Sequence, residues 1–286
     1  MKIFNETVLS ATTYFRVELK NVFDSSELDQ SLYIVFSHYF NLNRIDLTLN
    51  KANIFSESDF KKLKEVIVEL KTKKPLAHII GEWEFCDLSF KVNEHTLIPR
   101  PETEELIHLI VKENKSQNNL SILDVGTGSG CIAISLKSFL DNSSVTAYDV
   151  SEEALLKAEE NAALNNVSID FQKIDILNWE KQKSSFDVIV SNPPYITENE
   201  KEIMHQNVLG FEPHLALFVE NETPLIFYIA IANFALEHLK QDGKLYFEIN
   251  ECFGAETKKM LETEGFKNVN IVKDINEKDR IVSCTI

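Results

Sequence analysis

The sequence predicts an α/β fold, a parallel sheet covered on both faces by helices, preceded by a small N-terminal helical bundle. Three observations predict it. Beyond residue 119 strand-like apolar runs alternate with helical stretches, the pattern of a sheet whose crossovers are helices. Before residue 75 the apolar residues recur at helical spacing. A glycine-rich turn, Gly126-Thr127-Gly128-Ser129-Gly130, lies between an apolar strand and a helix. The chain has 286 residues, 44% of them apolar, which is enough for one large domain or for one medium domain with a smaller companion.

The bundle is expected over residues 1–74. Leu28, Leu32, Val35, Phe36, Tyr39 and Phe40 recur at helical spacing, as do Phe60, Leu63, Val66, Ile67 and Leu70. Ser56 or Ser58 caps the latter helix, and Lys71, Lys73 and Lys74 suit the negative end of its dipole. Pro75 stops the pattern. Residues 75–95 read as a β-hairpin linker, because Gly81 separates two short aromatic and aliphatic runs. Next comes Leu97-Ile98-Pro99-Arg100-Pro101-Glu102-Thr103-Glu104, a stiff lead into a helix through about Val111. The third domain, 96–286, carries strand-like runs at 122–125, 145–148, 169–174, 188–191, 244–249 and 281–286. Helical stretches between them include 152–164 and 227–239.

Charge narrows the partners. The formal net charge is −16, from 29 basic and 45 acidic residues, so the surface repels a phosphate backbone and no stable nucleic-acid complex is expected. Up to residue 75 there are 11 basic and 10 acidic residues, against 18 and 35 in the rest, a further sign of two domains. Cys86, Cys131, Cys252 and Cys284 form no C-x-x-C pair, so neither a metal site nor a disulfide framework is expected. Asn5 and Glu6 interrupt any leader-like apolar run, and the apolar stretch 225–236 is too short to span a bilayer. A monomeric cytoplasmic protein without membrane contact is the expectation.

The glycine turn continues from Leu123-Asp124-Val125. Glycines there let the backbone turn sharply and let a ligand approach the main chain. Asp149 ends the next strand, where a carboxylate can grip a ribose diol. A dinucleotide fingerprint has G-x-G-x-x-G spacing. Here Gly126, Gly128 and Gly130 alternate behind Asp124, a form that resembles the first motif of class I S-adenosylmethionine methyltransferases. That resemblance implies that residues 126–130 pack on the methionine portion and that Asp175 sits near the adenine amine. Either Ile176 or Trp179 then packs on the base.

A buried-strand pattern at 186–190 ends in Ser191-Asn192-Pro193-Pro194-Tyr195. Ligands in open α/β sheets bind beyond the carboxyl ends of strands, so this loop should face the cofactor, with Asn192 bordering it. A carboxamide or aromatic amine nitrogen is a poor nucleophile, because its lone pair is delocalised. The Asn192 side-chain oxygen and the Pro193 main-chain oxygen can each accept one of its N–H groups. That fixes the nitrogen and stabilises the positive charge that grows on it as a methyl arrives. Pro193 and Pro194 stiffen the loop, and Tyr195 can pack on the planar group. The tetrapeptide leaves open whether the nitrogen belongs to a glutamine or to a nucleobase.

Further segments resemble the peptide-chain release factor glutamine N5-methyltransferase family. They are Pro75-Leu76-Ala77-His78-Ile79-Ile80-Gly81 with Glu84-Phe85, the run from Thr96 to Glu104, and Phe211-Glu212-Pro213-His214-Leu215-Ala216-Leu217. His78 departs from a common Tyr, and 248–252 lacks the family's usual Gly and Gln. The resemblance implies a Rossmann-like seven-stranded class I methyltransferase domain with its last strand antiparallel. It implies methyl transfer from S-adenosyl-L-methionine, leaving S-adenosyl-L-homocysteine, to the Gly-Gly-Gln glutamine of class I release factors, with the bundle docking the factor. A ribosomal-protein glutamine would need the same chemistry and different docking, and an adenine or cytosine amine remains the more distant alternative.

Overall fold

The first four helices begin where a short polar side chain takes the first free N–H groups. The computed structural model describes residues 6–180, 184–203 and 206–286. The chain forms two compact units, Met1–Gly81 with Gln206–Phe211, and Glu82–His205 with Glu212–Ile286.

The smaller unit holds α1 (Val8–Leu19), α2 (Ser25–Phe40), α3 (Arg44–Leu49), α4 (Glu57–Lys71) and α5 (Leu76–Ile80). Thr7, Asp24, Asn43 and Ser56 cap the first four through their side-chain oxygens. Of the two serines considered for α4, Ser56 is the cap. One apolar cluster, with Phe15, Leu32, Phe36, Leu63 and Leu70 fully buried, binds the helices together. Each such side chain contributes roughly 1.5–3 kcal/mol relative to exposure.

The hairpin differs from the sequence expectation. Pro75 starts the short helix α5, which Gly81 ends at φ 80°. The hairpin follows it as β1 (Glu82–Phe85) and β2 (Leu88–Lys91). Cys86 and Asp87 make its turn, at φ 52° and 59°. Two positive-φ residues match the strand twist, but they are usually marked by Asn-Gly, and Cys-Asp carries no such signal. A short apolar run such as 76–80 does not by itself distinguish strand from helix.

The larger unit continues with α6 (Pro101–Asn114), β3 (Ser121–Val125), α7 (Cys131–Phe139), β4 (Ser144–Asp149), α8 (Glu152–Leu164), β5 (Asp170–Lys173), β6 (Phe186–Ser191) and β7 (Ile196–Thr197). The chain then makes α9 (Gln206–Phe211), which groups with the smaller unit. It returns through β8 (Phe218–Val219), α10 (Ile226–His238), β9 (Leu239–Glu248), α11 (Gly254–Glu264), β10 (Lys267–Lys273) and β11 (Asp279–Thr285). Seven strands form one sheet in the order β10-β11-β9-β6-β3-β4-β5. The last strand, β11, runs antiparallel to both β9 and β10. The sequence reading misses β10 because it is an edge strand, largely exposed and without a continuous apolar run.

Alternate residues serve opposite faces. Ile122, Val188, Val190 and Tyr246 enter a core shared with α6, α7 and α8. Leu123, Ile189, Leu245 and Phe247 enter another shared with α10 and α11. From β3 the chain proceeds outward through β4 to β5, then returns to place β6 on the other side of β3. That reversal opens a crevice at the carboxyl ends of β3 and β6.

Gly130 shows how tightly the crevice is framed. It adopts φ 82°, and a Cβ there would lie 2.8 Å from Ile134 Cδ1 and 3.1 Å from Ala158 Cβ. Gly130→Ala is expected to destabilise the protein by about 2–4 kcal/mol, combining left-handed strain with overpacking. Gly128→Ala, at φ 56° with nothing near its added Cβ, should lose only about 1–2 kcal/mol. Chemical denaturation of the two variants checks the contrast.

Candidate active site

All walls of the main cleft come from the larger unit. The glycine turn forms its floor. Gly126 and Thr127 donate their N–H groups to the Tyr148 carbonyl at 2.8 and 2.9 Å, so the end of β4 pins the turn. Gly126, at φ 75°, and Gly128 would meet nothing within 4 Å if they carried a Cβ. Glycine is needed there for backbone conformation, and its bare face is left toward open space. Ser129 is held from behind, where Asn161 Nδ2 donates to its carbonyl at 2.9 Å. The same buried amide joins Lys91 of the hairpin through both N–H and C=O.

Two carboxylates support the turn. Asp149 accepts from Gly128 N at 2.8 Å and from Ser151 N at 2.9 Å, tying the turn to the start of α8. Burial pushes its pKa up, against the pull of those N–H groups. Asp124 lies fully buried and accepts from the Thr127 hydroxyl at 2.7 Å. Burial pushes its carboxyl up to about 7, the Thr127 bond opposing and the Asp149 charge adding.

One stretch of the cleft is apolar, with Ile174, Ile176, Phe227 and Ile231. Asp175 lies beside it and caps a short 3-10 turn, accepting from Leu177 N at 2.9 Å and Asn178 Nδ2 at 2.8 Å. Ile176 lines the cleft, whereas Trp179 packs edge-on to Phe234 and His238 in the second core, with centroids 5.2 and 5.3 Å away. The Thr96 hydroxyl, also on a residue of the cleft wall, is buried and has no hydrogen-bond partner among the described residues. An orphaned hydroxyl, bare glycine backbone, two acids and an apolar wall suit a ligand with a polar tail and a flat ring.

Asn192, Pro193 and Pro194 line the same cleft. Ser191 holds their loop to the glycine turn, its hydroxyl donating to Val125 O at 2.6 Å. Asn192 Nδ2 donates to Thr103 Oγ1 at 3.3 Å, and that hydroxyl donates to Glu248 Oε2 at 2.6 Å. Tyr195 is placed differently from the expectation. It does not line the cleft; its half-buried ring packs against the second core and its hydroxyl donates to Glu248 Oε1 at 3.3 Å. Burial pushes both partners up, Tyr195 further raised by the Glu248 charge. Asn250 Nδ2 holds the Tyr195 carbonyl at 3.3 Å.

At the mouth, Arg100 Nη2 meets the buried Glu212 Oε1 at 2.7 Å, and Glu212 Oε2 accepts from Ile98 N at 3.2 Å. This pair joins two of the segments quoted for the family resemblance. Thr103, Asn161, Glu212 and Glu248 are supporting residues that spacing alone does not reveal; only Glu248, a charged side chain at the end of the apolar run 245–247, carries a local signal. Among the described residues no cluster of His, Cys, Asp or Glu could hold a metal. None of their helices is long and apolar enough to cross a membrane.

Comparison with known proteins gives consistent matches. The methyltransferase small domain matches residues 103–215, and the PrmC N-terminal domain matches residues 10–81. The release factor glutamine methyltransferase of Flavobacterium psychrophilum is 48% identical over 94% of this chain and 96% of its own. That of Bacteroides thetaiotaomicron is 42% identical, covering 96% and 98%. Among solved structures, the hMettl16 catalytic domain in complex with MAT2A 3'UTR hairpin 1 superposes with a TM-score of 0.59. It is 18% identical and covers 90% of this chain and 89% of that one, a likeness of fold.

The Asp124 carboxyl makes a testable pH signature. A carboxyl whose folded pKa is raised stabilises most below its unfolded value of 3.8, and that contribution is lost as pH rises through about 7. Asp124→Asn removes it while keeping an acceptor for Thr127. The Tm of the variant relative to wild type should therefore climb between those two pH values; a constant difference would contradict the placement.

Proposed function

The chain belongs to the release factor glutamine methyltransferase family, and from that premise we propose that it methylates the side-chain N5 nitrogen of the glutamine in the Gly-Gly-Gln loop of class I peptide-chain release factors. The methyl donor is S-adenosyl-L-methionine. The observation that carries the reading is Asn192, set with two prolines at the end of β6 in the cleft whose floor is the glycine turn.

Residues Gly126, Thr127, Gly128, Ser129 and Gly130 hold the methionine portion. Asp149 takes the ribose diol, since each oxygen keeps a lone pair beyond the one given to a backbone N–H. Asp175 and Ile176 receive the adenine, and Asn192 borders both ligands. When bound, S-adenosyl-L-methionine supplies an electrophilic methyl group and leaves as S-adenosyl-L-homocysteine.

Asn192 Oδ1 and the Pro193 carbonyl accept the two N–H groups of the substrate amide. They fix its plane and stabilise the charge that develops as its lone pair leaves conjugation. Proline has no N–H, so the loop offers acceptors and no competing donor at 193 and 194. No strong base is needed, because the nitrogen becomes acidic only as it is methylated. Tyr195 shapes the loop through its tether to Glu248. The helical unit docks the release factor, and the net charge of −16 speaks against a polynucleotide in its place.

Incubation with S-adenosyl-L-methionine and a release factor, followed by peptide mass spectrometry, should place one methyl on that glutamine; a parallel DNA sample should remain unmodified. Absence of the methyl, or its appearance only on DNA, would refute the reading. Asn192→Ala should lower turnover by about a hundredfold or more and still bind the cofactor by calorimetry. Unchanged turnover would refute the clamp.

A further inference from the structure

The amide clamp works only if Asn192 presents its oxygen to the cleft. A carboxamide has an acceptor end and a donor end of nearly the same shape, so something must choose between them. Three polar groups behind the loop make that choice by direction alone.

Glu248, only 1% exposed, receives a hydroxyl on each oxygen, from Thr103 at 2.6 Å and from Tyr195 at 3.3 Å. Burial raises its pKa, but the Thr103 and Tyr195 hydroxyls and the Arg280 charge all favour the carboxylate form. That form can only accept, so the single Thr103 proton is committed to it. Thr103 is itself 2% exposed, and its remaining lone pairs face Asn192. Only an N–H can satisfy them. The NH₂ end of Asn192 therefore turns inward and Oδ1 is left for the substrate. A reversed amide would set its oxygen against an oxygen with no proton to share.

We propose that Glu248 is a positioning residue for methyl transfer, acting through Thr103 to set which end of the Asn192 carboxamide faces the substrate. Glu248 grips both ends of the tetrapeptide, Asn192 through Thr103 and Tyr195 directly. Its own carbonyl is anchored by the Tyr228 hydroxyl at 3.2 Å. The inference rests on the amide clamp of the preceding section and identifies what orients it.

The test compares Glu248→Gln, Thr103→Val, Thr103→Ser and Asn192→Ala in steady-state methylation of a release factor. Thr103→Val keeps the shape of the side chain and removes its hydroxyl; Glu248→Gln can donate as well as accept and so loses the direction. Each should lower kcat about tenfold or more, with KM for the factor and Kd for S-adenosyl-L-methionine within about twofold of wild type. A Glu248→Gln/Thr103→Val double variant should be no slower than the slower of those two singles, because the two act as one chain. Thr103→Ser should recover most of the lost rate. Wild-type kcat in Thr103→Val with an inactive Asn192→Ala overturns the relay and leaves the clamp standing. An active Asn192→Ala overturns the clamp itself. Equal losses in Thr103→Ser and Thr103→Val, or losses that follow Tm or cofactor affinity, also overturn the relay.

Discussion

The parallel pairing of β3 with β6 puts Val125 beside Ser191, so the residues that follow each strand emerge at the same edge of the sheet. One strand continues into the glycine turn and the other into Asn192. Because the chain runs out to β5 before returning to β6, no crossover helix covers the gap between these two strand ends. The Ser191 hydroxyl bond to the Val125 carbonyl holds the two loops together at 2.6 Å. The proposed donor pocket and amide site both depend on this adjacency. A slip of one residue in the register would turn every side chain of β6 to the opposite face and carry Asn192 away from the cleft.

Around that edge, buried and half-buried acids hold the backbone in place. Asp149 ties the glycine turn to α8, Glu212 ties the 98–100 segment through Ile98 and Arg100, and Glu248 ties both ends of the tetrapeptide. Each accepts at least two donors, which is what makes a carboxylate tolerable in such a place. An acceptor that cannot donate also gives direction to the hydroxyls and amides beyond it. Much of the chain's excess acid lies on the surface, but these three are structural parts of the site.

What the sequence makes legible is local. The glycine turn, Asp149 and Asn192-Pro193-Pro194-Tyr195 each depend on a few consecutive residues at a strand end, and all of them except Gly130 and Tyr195 line one cleft. Six of the seven sheet strands are readable from apolar residues in or beside them, the edge strand β5 only through Ile169, Phe171 and Ile174; β10 is not, its apolar residues being broken up by Lys267, Asn268 and Asn270. Ile176 and Trp179 are indistinguishable by spacing, and only packing turns Trp179 toward Phe234. Thr103 and Glu248 stand 145 residues apart, and no local pattern joins them. The same holds for Arg100 and Glu212, whose segments are recognisable separately while their pairing is not. Tyr195 is the instructive difference: its residue type suits stacking on a planar group, yet its hydroxyl is drawn to Glu248.

In the proposed clamp the Asn192 oxygen and the Pro193 carbonyl together hold a glutamine amide by its two N–H groups. The most direct measurement is a crystal structure of the protein with S-adenosyl-L-homocysteine and a release-factor fragment bearing the Gly-Gly-Gln loop. The glutamine nitrogen should lie about 3 Å from both Asn192 Oδ1 and the Pro193 oxygen, with Asn192 Nδ2 still on Thr103. A glutamine carbonyl facing Asn192 Nδ2, or a nitrogen away from both acceptors, would contradict the account.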